Sequence, residues 1–372
     1  MLVSGFNNQI GSTPKSSKVA RTLVRSFAVL MVLFMFSEAK HAAQQNVEER
    51  PFSYLSAEGL GLYFIPEGCH PTDTRVLNWK LLLSHTQRER NPHLASFILL
   101  DKQCDIKIDG IIVDFAKRKR LIAVDRDPKP TWHENSMYKR LGLQNIRFAV
   151  TNCREPYFRR GHDICIALRP KASCPYISFF DAKKYHATFK GTGYFSGYGH
   201  HRFLLRVFHN PSKGVIVAVT TRHVTNDKQI NLNTNLTRTK LDVDELEAEK
   251  FDYCDLMNSS YAFTPGGRSP ASYRLIESLH SGAIPILFFE RGDERVVLPY
   301  ENIINWEDCA KIHIFISQVE HTLLADDKTQ IMKEKCTVIL KQFFWDDDTL
   351  VNTFLASIQN RINDTAAKEI IS

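Results

Sequence analysis

Runs of consecutive apolar residues alternate with longer amphipathic stretches from about residue 60 onward in this 372-residue chain. A strand made almost entirely of apolar residues must be covered on both faces, as in a parallel sheet flanked by helices. The pattern occurs in two series, and the runs that predict strands are 61–65, 95–100, 121–124 and 163–168 in the first, and 187–190, 215–219, 261–263 and 284–289 in the second. The predicted fold class is therefore α/β, with two Rossmann-like domains.

The stretch from Pro170 to Lys184 breaks the alternation and is the predicted linker between the domains. We expect an N-terminal domain over 46–175, a C-terminal domain over 176–345, and a final helix and tail over 346–372. Apolar residues of this last segment recur at helical spacing, so one face of the helix should pack across both domains. These residues are Leu350, Val351, Phe354, Leu355, Ile358 and Ile362.

The charge balance argues against a nucleic-acid partner. The chain has 48 Lys and Arg against 41 Asp and Glu, a mild excess of +7 that is scattered along the sequence. An excess of this size fits an acidic or phosphorylated ligand as well as it fits a nucleic acid. The hydrophobic share of 43% and the charged share of 24% are ordinary for globular proteins and exclude a multi-spanning membrane protein.

The N-terminal segment over 1–45 predicts entry into the secretory pathway. Residues 1–25 contain four basic residues and no acid, and an unbroken apolar run follows from Phe27 to Phe36. Ten helical residues reach about half of a 30 Å hydrocarbon core, which favours a cleaved signal peptide. The alternative is a short signal anchor that makes a single-pass type II membrane protein with a cytosolic tail. Both interpretations place the body in the lumen.

Two further features agree with a lumenal, glycosylated body. Acceptor sequons for N-glycosylation begin at Asn235, Asn258 and Asn363. The eight cysteines are an even number and can form disulfides in that compartment, although their spacing does not select a pairing and buried free thiols stay open as the alternative.

A glycine-rich turn follows the first strand of the second series and includes Gly191 and Gly193. Glycines let backbone N–H groups approach an anion at the start of a helix, so this turn is a candidate phosphate-binding loop. The spacing is neither GxGxxG nor that of a P-loop, and a tight structural turn explains the glycines equally well.

The segment 265–282 predicts a helix from Pro270, capped by Ser269 and ended by Gly282. Its polar residues Arg274 and Glu277 fall opposite the apolar face. One interpretation is a solvated face with an ion pair. The other is a nucleotide-sugar site, in which Arg268 and the helix N-terminus hold a diphosphate and Glu277 accepts hydrogen bonds from ribose hydroxyls.

Several motifs of the second series keep a specific order and spacing, namely FTPGGR at 263–268, SYRLIESL at 272–279, GAIPI at 282–286, LPY at 298–300 and INW at 304–306. They resemble the exostosin family, which is glycosyltransferase family 47. The resemblance continues upstream with FKG at 189–191 and KFDY at 250–253, and more weakly with FIL at 97–99, EPYFR at 155–159 and DICI at 163–166.

The resemblance implies a GT-B fold with an acceptor domain, a donor domain, a cleft between them and a C-terminal helix that crosses back. It implies inverting, metal-independent transfer from a nucleotide sugar, which we take to be a UDP-sugar, to a glycan or glycoprotein acceptor by a Golgi type II membrane protein. It carries the donor-site assignment to Gly191, Gly193, Arg268, Ser272, Arg274 and Glu277. Gly266 stands where heparan-type exostosins have Arg, so the donor sugar stays open.

Inversion by a single displacement needs a base near the acceptor hydroxyl. Glu134, in the Trp132-His133-Glu134 cluster, and Asp163 are the candidates, and Asp163 has a structural role as its alternative. No cofactor or metal is expected.

Two other functions stay open. Asp125 and Asp127 form a DxD motif after an apolar strand, which in GT-A enzymes binds a divalent metal. A non-catalytic lumenal subunit that forms an oligomer with another glycosyltransferase, or with itself, is the non-enzymatic alternative.

Overall fold

The computed structural model describes a part of the chain that falls in one compact unit, Tyr54–Ser372. The described residues are 61–67, 69, 77–101, 109–125, 140–151, 153, 158–193, 201–220, 248–267, 271–288, 297–313, 318–319 and 329–371.

Two sheets of five parallel strands each form the framework. The first sheet has the order β1-β2-β3-β4-β5, with β1 at Tyr63–Phe64, β2 at Phe97–Asp101, β3 at Leu121–Asp125, β4 at Ile146–Val150 and β5 at Ile164–Cys165. The second has the order β10-β9-β8-β6-β7, with β6 at Tyr185–Thr192, β7 at Val215–Thr220, β8 at Ser259–Phe263, β9 at Ile284–Phe288 and β10 at Lys311–His313.

Helices connect the strands, as parallel pairing requires. They are α1 at Trp79–Ser84, α2 at Gly110–Lys117, α3 at His201–Leu204, α4 at Tyr253–Met257, α5 at Arg274–His280, α6 at Thr329–Ile339 and α7 at Asp347–Ile371. Single 3-10 turns lie at Pro92–Leu94, Leu143–Asn145, Leu205–Phe208, Pro211–Lys213 and Trp306–Asp308, and a π-helical turn, Leu340–Phe344, joins α6 to α7. The predicted α/β fold class with two Rossmann-like sheets is confirmed.

The C-terminal helix α7 crosses back to the first sheet. All six residues of its predicted apolar stripe are buried. Near its start, Asp347 accepts a hydrogen bond from Asn78, which caps α1, at 2.9 Å, and Asn352 pairs with His85 at 3.0 Å. The helix therefore completes the core of the first half although it is the last element of the chain, as the GT-B arrangement implies.

The irregular segment 166–184 connects the two sheets, and the predicted boundary between residues 175 and 176 lies within it. The domain limits themselves stay predictions. Half-buried Cys174 of this segment forms a disulfide with Cys254 in α4, which ties the connection to the second half.

Disulfides also join Cys153 to Cys165 and Cys309 to Cys336, and Cys69 is disulfide-bonded as well. No cysteine in the described ranges is free, so the alternative of buried free thiols does not hold for them. Of the sequons, Asn363 is exposed on α7 and Asn258 is half-buried at the end of α4, whereas Asn235 lies outside the described residues.

The predicted leader over 1–45 also lies outside the described residues. Within the described ranges, no helix has the length and hydrophobicity needed to span a membrane.

Three elements differ from the sequence-based predictions, and one of them, β10, lies outside every predicted run. Helix α5 begins at Arg274 rather than Pro270, and the side chain of its N-cap residue, Tyr273, makes no capping hydrogen bond. Strand β4 was missed because Arg147 interrupts its apolar run. Arg147 is nevertheless buried, because it donates hydrogen bonds to the carbonyl oxygens of Lys119 at 2.9 Å and His162 at 2.8 Å.

Candidate functional site

The strand order of the second sheet reverses beside β6. From β6 the chain proceeds to β7 on one side, and then returns to β8 on the other side. In open α/β sheets, ligands bind in the crevice at the carboxyl ends of the two strands that flank such a reversal. Here these ends are Thr192 of β6 and Phe263 of β8, so the loops that follow them, which begin at Gly193 and Thr264, form the candidate site.

The predicted glycines Gly191 and Gly193 lie at the carboxyl end of β6. A Cβ atom on Gly193 would lie 2.4 Å from Cζ of Phe203, and one on Gly191 would lie 2.9 Å from Cζ of Phe189. Close packing against aromatic rings therefore accounts for both glycines, which supports the interpretation as a tight structural turn. Residues 194–200 lie outside the described residues, and the phosphate-binding role stays a prediction.

Arg202 joins the two loops of the candidate site, and the sequence analysis missed it. Its Nε donates to the carbonyl oxygen of Gly266 at 2.9 Å, and its Nη1 donates to that of Thr192 at 2.7 Å. The guanidinium also lies 5.8 Å from the centre of the Phe189 ring. Arg202 therefore places a permanent positive charge at the carboxyl ends of β6 and β8. The available signal was its position in the first helix after the glycine-rich turn.

Arg274 is buried, with 5% of its surface exposed, so the predicted solvated face of α5 is wrong for this residue. Its Nε and Nη2 donate to the carbonyl oxygen of Lys190 at 3.1 and 2.6 Å. The guanidinium lies 4.9 Å from the ring centre of Phe189 and 5.0 Å from that of Tyr253. These contacts fix β6 against α5.

Glu277 is likewise buried, with 5% exposed. Its Oε1 accepts hydrogen bonds from the backbone N–H groups of Lys171 at 2.8 Å and Ala172 at 2.9 Å, and its Oε2 accepts one from the Tyr253 hydroxyl. Burial raises the pKa of Tyr253 to about 12, so this hydroxyl keeps its proton at neutral pH. In this structure Glu277 holds the connection between the halves, and its predicted contact with ribose stays untested.

Ser272 and Arg268 belong to the loop after β8. The Ser272 hydroxyl accepts a hydrogen bond from the Arg274 N–H at 3.3 Å. Arg268 lies outside the described residues. A hydrogen bond joins the loop residues before and after it, from the Gly267 N–H to the Ala271 carbonyl oxygen at 3.3 Å.

The carboxyl ends of the two sheets face each other. A cavity of about 20 Å³ between them is lined by Thr151 and Cys165 from the first half and by Thr264, Ser272 and Leu298 from the second. A cavity of this volume holds little more than one water molecule. The two halves are therefore in close contact here, and the cavity is too small to be a substrate pocket. A larger groove of about 440 Å³ lies along β10, at the edge of the sheet and away from the reversal beside β6.

Asp163, one of the two predicted bases, lies at the amino end of β5, which is the opposite edge of the sheet. It is fully buried, and its carboxylate accepts hydrogen bonds from the Phe148 N–H at 3.0 Å, from the Arg159 N–H and Nε at 2.9 Å each, and from Arg159 Nη2 at 2.6 Å. Four donors fill its lone pairs, so no acceptor hydroxyl can reach it. The geometry therefore favours the structural role of Asp163.

The other candidates for catalysis follow β3. Glu134 and Asp127 lie outside the described residues, and Asp125 is the last residue of that strand. Asp125 therefore lies at the carboxyl edge of the first sheet, which is the edge that faces the loops after β6 and β8. Within the described ranges, no cluster of His, Cys, Asp and Glu forms a metal site.

The model of the Exostosin GT47 domain matches residues 128–320, which include β4, β5, the connecting segment and the second sheet. The chain belongs to the exostosin GT47 family. The match covers the candidate site from Gly191 to Glu277 and also Glu134.

Curated relatives agree with this family. Exostosin-1 of Bos taurus is 29% identical over 186 residues, which are 48% of this chain and 24% of that protein. Exostosin-1c of Danio rerio is 30% identical over 229 residues, covering 58% of this chain and 30% of that protein. Exostosin-1b of Danio rerio is 27% identical over 256 residues, covering 65% and 33%. The aligned part of the chain thus spans about a quarter to a third of the length of these relatives.

Proposed function

We propose that this protein is an inverting glycosyltransferase of the exostosin type, which transfers a sugar from a UDP-sugar to a glycan acceptor. The observation that carries the proposal is the site beside β6, where Arg202 joins the loops that follow β6 and β8. The match to the Exostosin GT47 domain covers both loops. Two observations thus support the proposal. The strand reversal beside β6 is a position at which open α/β sheets bind ligands, and the matching family is a family of glycosyltransferases.

In the proposed reaction the second half binds the donor. The leaving group is a nucleoside diphosphate, whose negative charge must be stabilised as its bond to the sugar breaks. Arg202 supplies a fixed positive charge at the carboxyl ends of the strands, and we propose that Arg268, in the loop after β8, supplies a second one. Ser272 lies in the same loop, and its hydroxyl group can donate a hydrogen bond to a phosphate oxygen.

The first half would bind the acceptor and supply the base. The acceptor hydroxyl attacks the anomeric carbon from the side opposite the diphosphate, so one bond forms as the other breaks and the configuration inverts. We propose Glu134 as the group that takes the hydroxyl proton, since its segment follows β3 in the sequence and the contacts of Asp163 favour a structural role for that residue. Cationic side chains at the diphosphate make a metal unnecessary in this scheme.

We further propose that the protein works in the Golgi lumen as a type II membrane protein, anchored through a span in which Leu23 and Val24 extend the apolar run of residues 27–36, with a cleaved signal peptide as the alternative. The disulfides support an oxidising compartment. Exposed Asn363 is the best placed glycosylation site in the described ranges.

A binding screen of the purified full chain against a panel of nucleotide sugars tests the donor assignment. We expect one UDP-sugar to raise the melting temperature, and we expect Arg202→Ala or Arg268→Ala to weaken its binding about 10- to 150-fold, the loss of a charge-assisted contact. Arg118→Ala is the matched control, because Arg118 pairs with Asp114 on the exposed surface of α2. Unchanged affinity in both site variants would refute the site.

Turnover on glycan acceptors then tests the reaction. Glu134→Gln should lower turnover and leave donor affinity nearly unchanged. Donor binding without turnover on any acceptor would instead indicate a non-catalytic subunit. We expect activity to persist in EDTA. A metal-dependent enzyme would instead lose its activity in EDTA and regain it with Mn²⁺. Asp125→Asn or Asp127→Asn would then abolish the activity.

A further inference from the structure

An apolar stripe runs along the outer face of α6 and the π-helical turn that follows it. Ile331, Val338 and Trp345 recur every seven residues and are 60%, 44% and 41% exposed. These three side chains lie on the surface of the protein. The opposite face of the same segment is buried in the core, where it contributes Met332, Cys336, Ile339, Leu340, Phe343 and Phe344. The α-helical residues 331–339 rise about 12 Å, and the π-helical turn extends the stripe to Trp345, the residue directly after that turn.

Two charged residues lie between the apolar ones. Glu334 comes four residues before Val338 and Lys341 three residues after it, and both are exposed. The outer face therefore reads Ile, Glu, Val, Lys, Trp. Within the described ranges, Lys341 makes no ion pair and Glu334 makes only a 3.2 Å hydrogen bond with exposed Gln330.

The order of these residues is self-complementary when it is read in opposite directions. If two such helices pack antiparallel with Val338 at the centre, Ile331 of each meets Trp345 of the other and Glu334 of each meets Lys341 of the other. An interface with two-fold symmetry requires this kind of match, because one patch must complement itself. A parallel arrangement would instead put Glu334 against Glu334 and Lys341 against Lys341.

A second aromatic side chain widens the surface at its C-terminal end. Tyr176 of the connecting segment is 44% exposed and packs edge-to-face on Trp345 with ring centres 5.1 Å apart. Exposed Tyr and Trp are typical of interface centres. We propose that this face, formed by Ile331, Glu334, Val338, Lys341, Trp345 and Tyr176, is the contact between two copies of the chain in an antiparallel homodimer.

Symmetric cross-linking of the full chain is the first test. Val338 lies at the proposed axis, so in Val338→Cys two introduced thiols would meet and form a covalent dimer under mild oxidation. Val207→Cys is the matched control, because Val207 is also an exposed valine, 76% exposed, and belongs to another element, the 3-10 turn Leu205–Phe208. Cross-linking no greater than that of the control would overturn the proposal.

Charge reversal is the second test, with dimerisation measured by sedimentation of the detergent-solubilised full chain. One helix face is a small interface, so we expect a dissociation constant on the order of 10 µM. Glu334→Lys and Lys341→Glu should each weaken the dimer about 10-fold, and the double variant should restore it. A chain that stays monomeric at about 100 µM, or that is insensitive to both reversals, refutes self-association. Capture of a different protein by this face with no dimer of the chain would also overturn it. Neither test uses donor binding or turnover, so its outcome is independent of the proposed function.

Discussion

Replacing Glu277 with alanine should unfold the protein more readily, because this carboxylate holds three donors inside the structure. Glu277→Ala leaves the backbone N–H groups of Lys171 and Ala172 and the Tyr253 hydroxyl without their acceptor. Hydrogen bonds to a charged group contribute about 1.5–3 kcal/mol each, but water can replace part of the two backbone bonds, since Lys171 is exposed and Ala172 half-buried. We therefore expect a loss of about 3–4 kcal/mol.

The loss can be measured by thermal and urea-induced unfolding of the purified variants. For a chain of 372 residues, an unfolding entropy of about 2.1 cal/mol/K per residue gives about 1–2 °C per kcal/mol, so the melting temperature should fall by about 3–8 °C. Glu277→Gln keeps a carbonyl oxygen for the two backbone groups and should lose only about 1 kcal/mol. Glu249→Ala, at an exposed glutamate of the same half, should change stability by less than about 0.5 kcal/mol.

A stable Glu277→Ala variant that merely binds the donor less tightly would refute this reasoning. That result is the one expected if Glu277 faced the solvent and contacted only the ribose of the ligand. A variant that loses both stability and donor affinity would show that the connecting segment and the donor loops depend on the same carboxylate.

Three further predictions concern stability. Asp163→Asn should destabilise by about 3–5 kcal/mol because it leaves Arg159 without its buried partner, whereas exposed Asp114→Asn should have little effect in the same urea titration. Burial first, and then the nearby Arg159 cation, lowers the pKa of His162 to about 4. The unfolded chain takes up this proton below about pH 6.5 and the folded one does not, so stability should fall by up to about 2 kcal/mol between pH 6.5 and 4, a dependence that His162→Gln removes. Gly282→Ala should cost about 2–4 kcal/mol in thermal unfolding, because φ is +61° and the new Cβ would lie 2.3 Å from the Ile177 carbonyl oxygen; a loss below 1 kcal/mol would contradict it.

Hydrophobic pattern was sufficient to predict the central strands and the C-terminal helix. Strands β2, β3, β7 and β9 consist mainly of consecutive apolar residues. A strand of this composition must be buried on both faces, as it is in a parallel sheet covered by helices. The pattern failed at β4, because buried Arg147 breaks the run and only its contacts with two distant carbonyl oxygens make its burial acceptable. Such contacts are made between residues far apart in the sequence, and no local pattern reveals them.

The site was harder to predict for the same reason. Arg274 and Glu277 were placed at helical spacing opposite an apolar face, which normally means exposure. In the folded chain β6 and the connecting segment cover that face, so both residues are buried. The position of Arg202 after the glycine-rich turn is a weak signal, and its contacts with the loops after β6 and β8 form only when these two strands lie side by side.

The position of helix α7 has a consequence for how the protein is made. The first sheet ends at Cys165, but its core includes Phe354 and Ile358, which the ribosome adds nearly two hundred residues later. At about 5–20 residues per second, the nascent first half waits about 10–40 s for the helix that covers it. During that interval its apolar surface is open to chaperones, and the N-terminal half can mature only after α7 has left the ribosome.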